Sequence, residues 1–127
     1  MAVTSGGLLL LPALQGARAG GGVGTTEAVR LINREKGVRI DVAEPAEFAA
    51  GHAAGARNVP FGQIDSDTGK KGLPTNKTVP LVVMCPSGAR AGRAVALLRK
   101  SGYEKAVAVS GGTNAWRDAS LPVEKST

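Results

Sequence analysis

Apolar residues recur at helical spacing in Thr25-Thr26-Glu27-Ala28-Val29-Arg30-Leu31-Ile32-Asn33, with hydroxyl side chains placed to cap the start and Gly37 to close the end. This predicts a helix. Val38 to Val42 is a short, β-branched run and predicts a strand, with Asp41 near its C-terminal end. Pro45 suits the first turn of a helix, because its missing N–H would find no partner there in any residue; the helix Ala46 to Ala50 then stops at Gly51. Asn58-Val59 reads as a second short strand closed by Pro60, and Ile64 to Pro80, polar and broken by Gly69, Gly72 and Pro74, as a long loop. Leu81-Val82-Val83-Met84 is continuously apolar over strand length, the pattern of a central strand covered on both faces. From Ala91 to Ser101, Ala94, Val95, Leu97 and Leu98 form an apolar stripe while Arg93, Arg99 and Lys100 face outward, and Gly102 follows as the C′ residue. Ala106 to Val109 predicts a further strand, and Gly111-Gly112 turns the chain into a short helix around Trp116. Strands alternating with helices predict an α/β domain with a mainly parallel sheet.

The first 22 residues do not share this pattern. Ala2 to Ala17 carries no charge and Leu8 to Leu11 is strongly apolar, but Gly6, Gly7 and Pro12 interrupt a stretch too short to span a bilayer. Ala17-Arg18-Ala19 has the small-x-small form of a signal-peptidase site, yet no Lys or Arg precedes the apolar run. A disordered leader, an export signal and the end of an upstream membrane anchor all fit residues 1–22, with Gly20-Gly21-Gly22 as a flexible joint. The folded domain is expected to span 23–127 as a monomer in the cytoplasm, or tethered or exported if the leader acts.

Composition narrows the classes. A hydrophobic fraction of 43% in 127 residues supports one domain with a true core. The single cysteine, Cys85, excludes an internal disulfide or a cysteine-based zinc cluster, and the single histidine, His52, excludes a His-rich metal site. No metal or organic cofactor is expected. The net charge of +6 raises nucleic acid as a partner, but the positive residues are scattered and two Phe, one Tyr and one Trp give no stacking platform for single strands. No nucleic acid is expected. The basic surface suits the attraction of small anions.

Cys85 stands at the carboxyl end of the most apolar strand, and Pro86-Ser87-Gly88-Ala89-Arg90 leads from it into a helix. In open α/β sheets ligands bind at that edge. Successive N–H groups entering a helix N-terminus form an anion-binding concavity and stabilise negative charge on a sulfur. Pro86 has no N–H, so the donors run from Ser87 through Gly88, Ala89 and Arg90 to Ala91, and the Arg90 guanidinium can hold an anion by two bonds. A site that admits an anion is expected to be wet and open. Taken alone, a cysteine ending a buried strand is more often a small core hydrophobe; the glycine loop, Arg90 and the helix that follow bring the functional reading level with it.

Three groups of residues, in order and suitably spaced, resemble the single-domain rhodanese family over about Val23 to Val123. Ile40-Asp41-Val42, Glu44, Glu47-Phe48, Gly51-His52, Gly55-Ala56 and Asn58-Val59-Pro60 are similar to its first signature. Val82-Val83-Met84-Cys85, Ser87-Gly88 and Arg90 are similar to its active-site loop, and Gly102-Tyr103, Gly111-Gly112, Trp116 and Leu121-Pro122-Val123 to its C-terminal part. The resemblance implies a five-stranded, mainly parallel sheet with helices on both faces. It also implies a sulfurtransferase in which Cys85 takes sulfane sulfur from a small anionic donor, thiosulfate or a persulfide, and passes it to cyanide or a thiol, a protein thiol included. A rhodanese-like module that only binds a partner or relays sulfur is the alternative. Related phosphatases use a loop one residue longer than the Cys-x4-Arg of Cys85 to Arg90; the shorter loop matches a single added sulfur better than a phosphate. Asp41 is expected to support the loop by accepting N–H bonds, His52 to be a hydrogen-bonded turn residue and Trp116 to lie in the core. Ala43, Ala53, Pro86 and Glu47 depart from the family pattern, and weaken the case for thiosulfate as the donor in the cell without touching the persulfide chemistry.

Overall fold

The structure is a computed structural model that describes residues 22–64 and 72–125. The leader up to residue 21 and part of the loop after Ile64, Gly69 included, lie outside the described residues. The elements in order are α1 (Thr25–Glu35), β1 (Val38–Asp41), α2 (Pro45–Ala50), β2 (His52–Ala53), β3 (Arg57–Asn58), a 3-10 turn (Phe61–Gln63), β4 (Leu81–Met84), α3 (Ala89–Lys100), β5 (Ala106–Ala108), α4 (Gly112–Asp118) and β6 (Val123–Glu124). The main sheet has the order β3-β1-β4-β5 and is parallel throughout, with Ile40 opposite Val83, Asp41 opposite Met84 and Val83 opposite Ala108. All four strands therefore deliver their carboxyl ends to one edge.

The α/β class holds, with four strands in the sheet among the described residues where five are expected. At the fifth position, beside β5, Val23 alone pairs among the described residues: its N–H donates to the Ala108 carbonyl at 2.7 Å and its carbonyl accepts from Ser110 N–H at 2.8 Å. Gly24 already serves as the N-cap of α1, so the chain leaves the edge after one residue. That cap uses no side chain; Thr25 and Thr26 sit inside the first turn, one and two residues past the capping position expected of them. A two-stranded antiparallel pair, β2 with β6, sets His52 opposite Glu124 and Ala53 opposite Val123. Strands of two residues carry no periodicity, and the pattern gave no sign of them.

β4 is buried along its whole length, as a central strand must be. Its alternation divides the core. Leu81, Val83 and Cys85 face Ala91, Ala94, Val95 and Leu98 of α3, together with Ile40 and Val42. Val82 and Met84 face the other way, against Ala28 and Leu31 of α1 and Trp116 of α4. Burying each of the larger aliphatic side chains stabilises the fold by about 1.5–3 kcal/mol, and β4 draws on both layers at once. Cys85 is thus the last side chain on the α3 face, directly before the turn into α3. No helix among the described residues is long and apolar enough to cross a membrane.

Candidate active site

The loop after Cys85 is shaped by two glycines. Gly88, at φ +98, is the N-cap of α3, and this left-handed conformation starts the helix at Ala89, two residues before the expected start at Ala91. The same turn brings Gly88 N–H back onto Cys85 Sγ at 3.0 Å. Gly112, at φ +57, lies against the other side of the loop: a Cβ there would overlap the Cys85 carbonyl oxygen. With only hydrogen at that position, α4 docks its first turn on the loop. Thr113 N–H donates to the Cys85 carbonyl at 2.9 Å and Asn114 N–H to the Pro86 carbonyl at 3.1 Å. Residues 25 or more positions downstream thus fix the backbone that presents the sulfur. The Gly111-Gly112 pair was legible as a turn; its contact with the Cys85 carbonyl was not, because it depends on tertiary approach.

The side chains expected at the site lie as follows. Cys85 is 0% exposed. The expected wet, open site is therefore closed at the sulfur, because Cys85 continues the packed row of Leu81 and Val83. Ser87 and Ala89 are exposed, Gly88 and Arg90 are half-buried, and Ala91 packs its methyl into the core while its backbone stays in the first turn of α3. The first-turn N–H groups of a helix have no partner within it, so Ala89, Arg90 and Ala91 present donors beside Gly88.

Arg90 is already engaged. Its two terminal nitrogens meet the two carboxylate oxygens of Glu47 on α2 at 2.7 and 3.0 Å. Glu47 is held in turn by its own helix start. Its Oε1 accepts Glu44 N–H at 2.9 Å, and the Glu44 carboxylate accepts the Glu47 backbone N–H, a capping box on a helix that begins at Pro45. The Arg90 hydrogen bonds, then the Glu44 N–H, hold the Glu47 carboxyl down at about 2. Arg90 lies near enough to Cys85 for their charges to interact.

Asp41 is buried at the end of β1, and the hydrogen bond it makes is local: Oδ1 accepts Ala43 N–H at 2.9 Å. It braces the turn after β1, one strand away from the Cys85 loop it was expected to support. Asn58 braces the same turn, donating from Nδ2 to the Asp41 and Ala43 carbonyls at 3.1 and 2.9 Å. Burial pushes the Asp41 carboxyl up, against the Ala43 N–H and the His52 and Arg90 charges. His52 stacks on Phe48 at 3.7 Å between ring centroids, and its Nδ1 lies 2.7 Å from the Phe48 carbonyl. These two ring contacts are made inside the α2–β2 turn, and Nε2 lies 3.5 Å from Glu124 Oε1 on β6, so the ring joins the turn to the β2–β6 pair.

A family model for the rhodanese-like domain matches residues 25–119. The chain belongs to the rhodanese-like domain family. It is 40% identical over 91 residues to the uncharacterized protein YqhL of Bacillus subtilis, covering 72% of this chain and 69% of that one. It is 33% identical over 94 residues to a sulfurtransferase of Allochromatium vinosum, covering 74% of this chain and 84% of the relative. Other curated relatives are longer, and the chain spans 51% of one and 21% of another. Among solved structures, the human single-domain sulfurtransferase TSTD1 superposes with a TM-score of 0.68 at 25% identity, over 77% of this chain and 96% of that one. Its rhodanese-like fold places Cys85 at the sheet edge where such α/β domains bind ligands.

Proposed function

We propose that this rhodanese-like domain is a sulfurtransferase that carries sulfane sulfur on Cys85. The observation that supports the reading most is the convergence on one sulfur: the end of β4, the Gly88 N–H at 3.0 Å and the mouth of α3 meet at Cys85 Sγ. The names of the Allochromatium and human relatives agree with it. The Cys85 thiolate attacks the outer sulfur of the donor. The bond from that sulfur to the rest of the donor breaks, and its electron pair leaves on sulfite when the donor is thiosulfate, or on a thiolate when it is an organic persulfide. Cys85 then holds a terminal persulfide sulfur. Cyanide or a thiol attacks that sulfur, Cys85 departs as thiolate, and thiocyanate or a new persulfide is released, with no external oxidant or reductant. The N–H groups of Ser87, Gly88, Ala89, Arg90 and Ala91 and the Arg90 guanidinium supply the positive field for the anions in both halves. The side chains packed over Sγ have to give way before a donor reaches it.

Intact mass after incubation with thiosulfate or a low-molecular-weight persulfide tests this directly. The wild type is expected to gain one sulfur atom that cyanide removes as thiocyanate. Cys85→Ser is expected to keep its far-UV circular dichroism and lose both. Residual transfer above a few per cent in the folded variant would defeat the assignment. The closed sulfur and the engaged Arg90 favour a second reading, a partner-binding or relay module that turns over poorly with free donors. Stoichiometric loading without repeated thiocyanate release would select it.

A further inference from the structure

Glu47 belongs to α2 and touches neither the Cys85 loop backbone nor the sulfur in any bond described above, yet it engages the loop's cation at both terminal nitrogens. We propose that Glu47 sets donor preference. By holding Arg90 in a two-bond pair it disfavours dianionic donors such as thiosulfate and favours organic persulfides that carry at most one negative charge. The inference rests on the sulfurtransferase reading.

Three observations carry it. The Glu47–Arg90 pair uses both carboxylate oxygens, at 2.7 and 3.0 Å, so a bidentate anion has to displace Glu47 to use the same fork. Glu47 is not free to swing away, because its Oε1 also closes the capping box of α2 through Glu44 N–H at 2.9 Å. The charges that act on Arg90 are unbalanced: Glu47 pairs with it directly, and Asp41 and Glu44 lie near enough to add negative charge to the one guanidinium, which also feels Cys85. A donor of charge −2 meets these carboxylates with the cation already matched. A persulfide meets the same rim with half the charge or less, and needs chiefly the loop N–H groups. The Arg90 and Glu47 side chains are 34% and 41% exposed, so water screens the effect and the expected discrimination is modest.

The test is the ratio of kcat/KM for two donors, thiosulfate and the persulfide of 2-mercaptoethanol. Glu47→Gln keeps an oxygen to accept Glu44 N–H and removes the charge. It is expected to raise kcat/KM for thiosulfate about tenfold, the effect of freeing one charge-assisted contact, and to leave the persulfide value within about twofold. Glu47→Ala, which also loses the cap, should be less stable yet move the donor ratio the same way. A ratio that stays put, or that shifts toward the persulfide in either variant, overturns the proposal. If wild type and variants alike fail to load sulfur on Cys85 from both donors, it is the sulfurtransferase reading that has failed, and this inference falls with it.

Discussion

Two charged regions of the molecule differ in what they hold. Along α1, α3 and β5 runs a groove of about 530 Å³ lined by Glu27, Arg30, Glu35, Arg99 and Lys105 among apolar Leu31, Val95 and Val107. At the carboxyl edge of the sheet lies Cys85, closed over, with Arg90 and Glu47 beside it. The groove is roomy and carries no nucleophile; its ion pairs are local, Arg30 meeting Glu27 at 2.6 Å and Glu35 at 3.0 Å within one helix. Arg99 spends its guanidinium on the Ala106 carbonyl, at 3.1 and 2.9 Å. At the edge the contacts join elements far apart in sequence: Glu47 to Arg90, Thr113 to Cys85. Open volume is therefore a poor guide to chemistry in this fold. The position proposed to carry sulfur is where several elements converge on one cysteine, and convergence of that kind also closes space.

The largest expected effect separates two glycines, one from each region. Gly112→Ala sets a methyl into the Cys85 carbonyl and demands φ +57 of an alanine. Strain and lost bonds to the loop are expected to cost about 2–4 kcal/mol, a fall in Tm of roughly 10 °C or more. Gly92, in α3 at the groove, has nothing within 4 Å of a built Cβ. Gly92→Ala is expected to raise stability by about 0.5–1 kcal/mol by restraining the unfolded chain and favouring the helix. Equal changes in the two melting curves would mean that the α4 turn does not brace the loop.

How much of this was legible in the sequence follows the range of each interaction. β4 and α3 are legible because apolar runs and stripes report burial one element at a time. Pro45 and Gly102 marked real helix ends by local backbone rules; Gly102 adopts φ +105 just after α3. Cys85 stood out because a strand end, a glycine loop and an arginine are contiguous in sequence. The β2–β6 pair, the Gly112 contact and the position of the Asp41 bond were hidden, since each depends on which distant backbone comes near. The thiol's closure was one of two legible readings: a cysteine ending a strand covered on both faces reads as a core residue, and the row Leu81, Val83, Cys85 packed under α3 decides for it at the sulfur. Glu47 was visible as a misplaced negative charge, while its grip on Arg90 is a contact across 43 positions.

A smaller effect should divide the two arginine pairs. Arg90→Ala removes the cation that interacts with Cys85 and is expected to lower sulfur transfer about tenfold, at the lower end for a charge-assisted contact because the side chain is partly solvated. Arg30→Ala breaks two exposed pairs in α1 and is expected to leave thiocyanate production unchanged within error. Equal losses in the two variants would show that the basic surface acts as a general field and that the position of Arg90 beside the sulfur is immaterial.

The smallest expected effects concern two carboxylates that shift in opposite directions. Burial raises Asp41 above its ordinary 3.8, while the Arg30 bonds lower Glu27 below its ordinary 4.5. A raised carboxylate means that the native state binds the proton more tightly than the unfolded chain does. Its contribution is complete below 3.8 and is lost as pH rises through the folded value. The charge on Asp41 thus costs stability at neutral pH. Asp41→Asn, whose side-chain oxygen can still accept Ala43 N–H, is expected to melt no lower than wild type at pH 7, with its advantage shrinking as pH falls toward 3.8. Glu27 runs the other way: its contribution is present above 4.5 and is lost as pH falls through the lowered value, so Glu27→Gln should melt slightly below wild type at pH 7 and match it in acid. Thermal melts from pH 3 to 7 on the three proteins give the sign in each case. An Asp41→Asn variant that melts well below wild type at pH 7 would show that the ionised carboxylate is needed at the edge of the sheet, and that the turn after β1 is held by charge as well as by the Ala43 hydrogen bond.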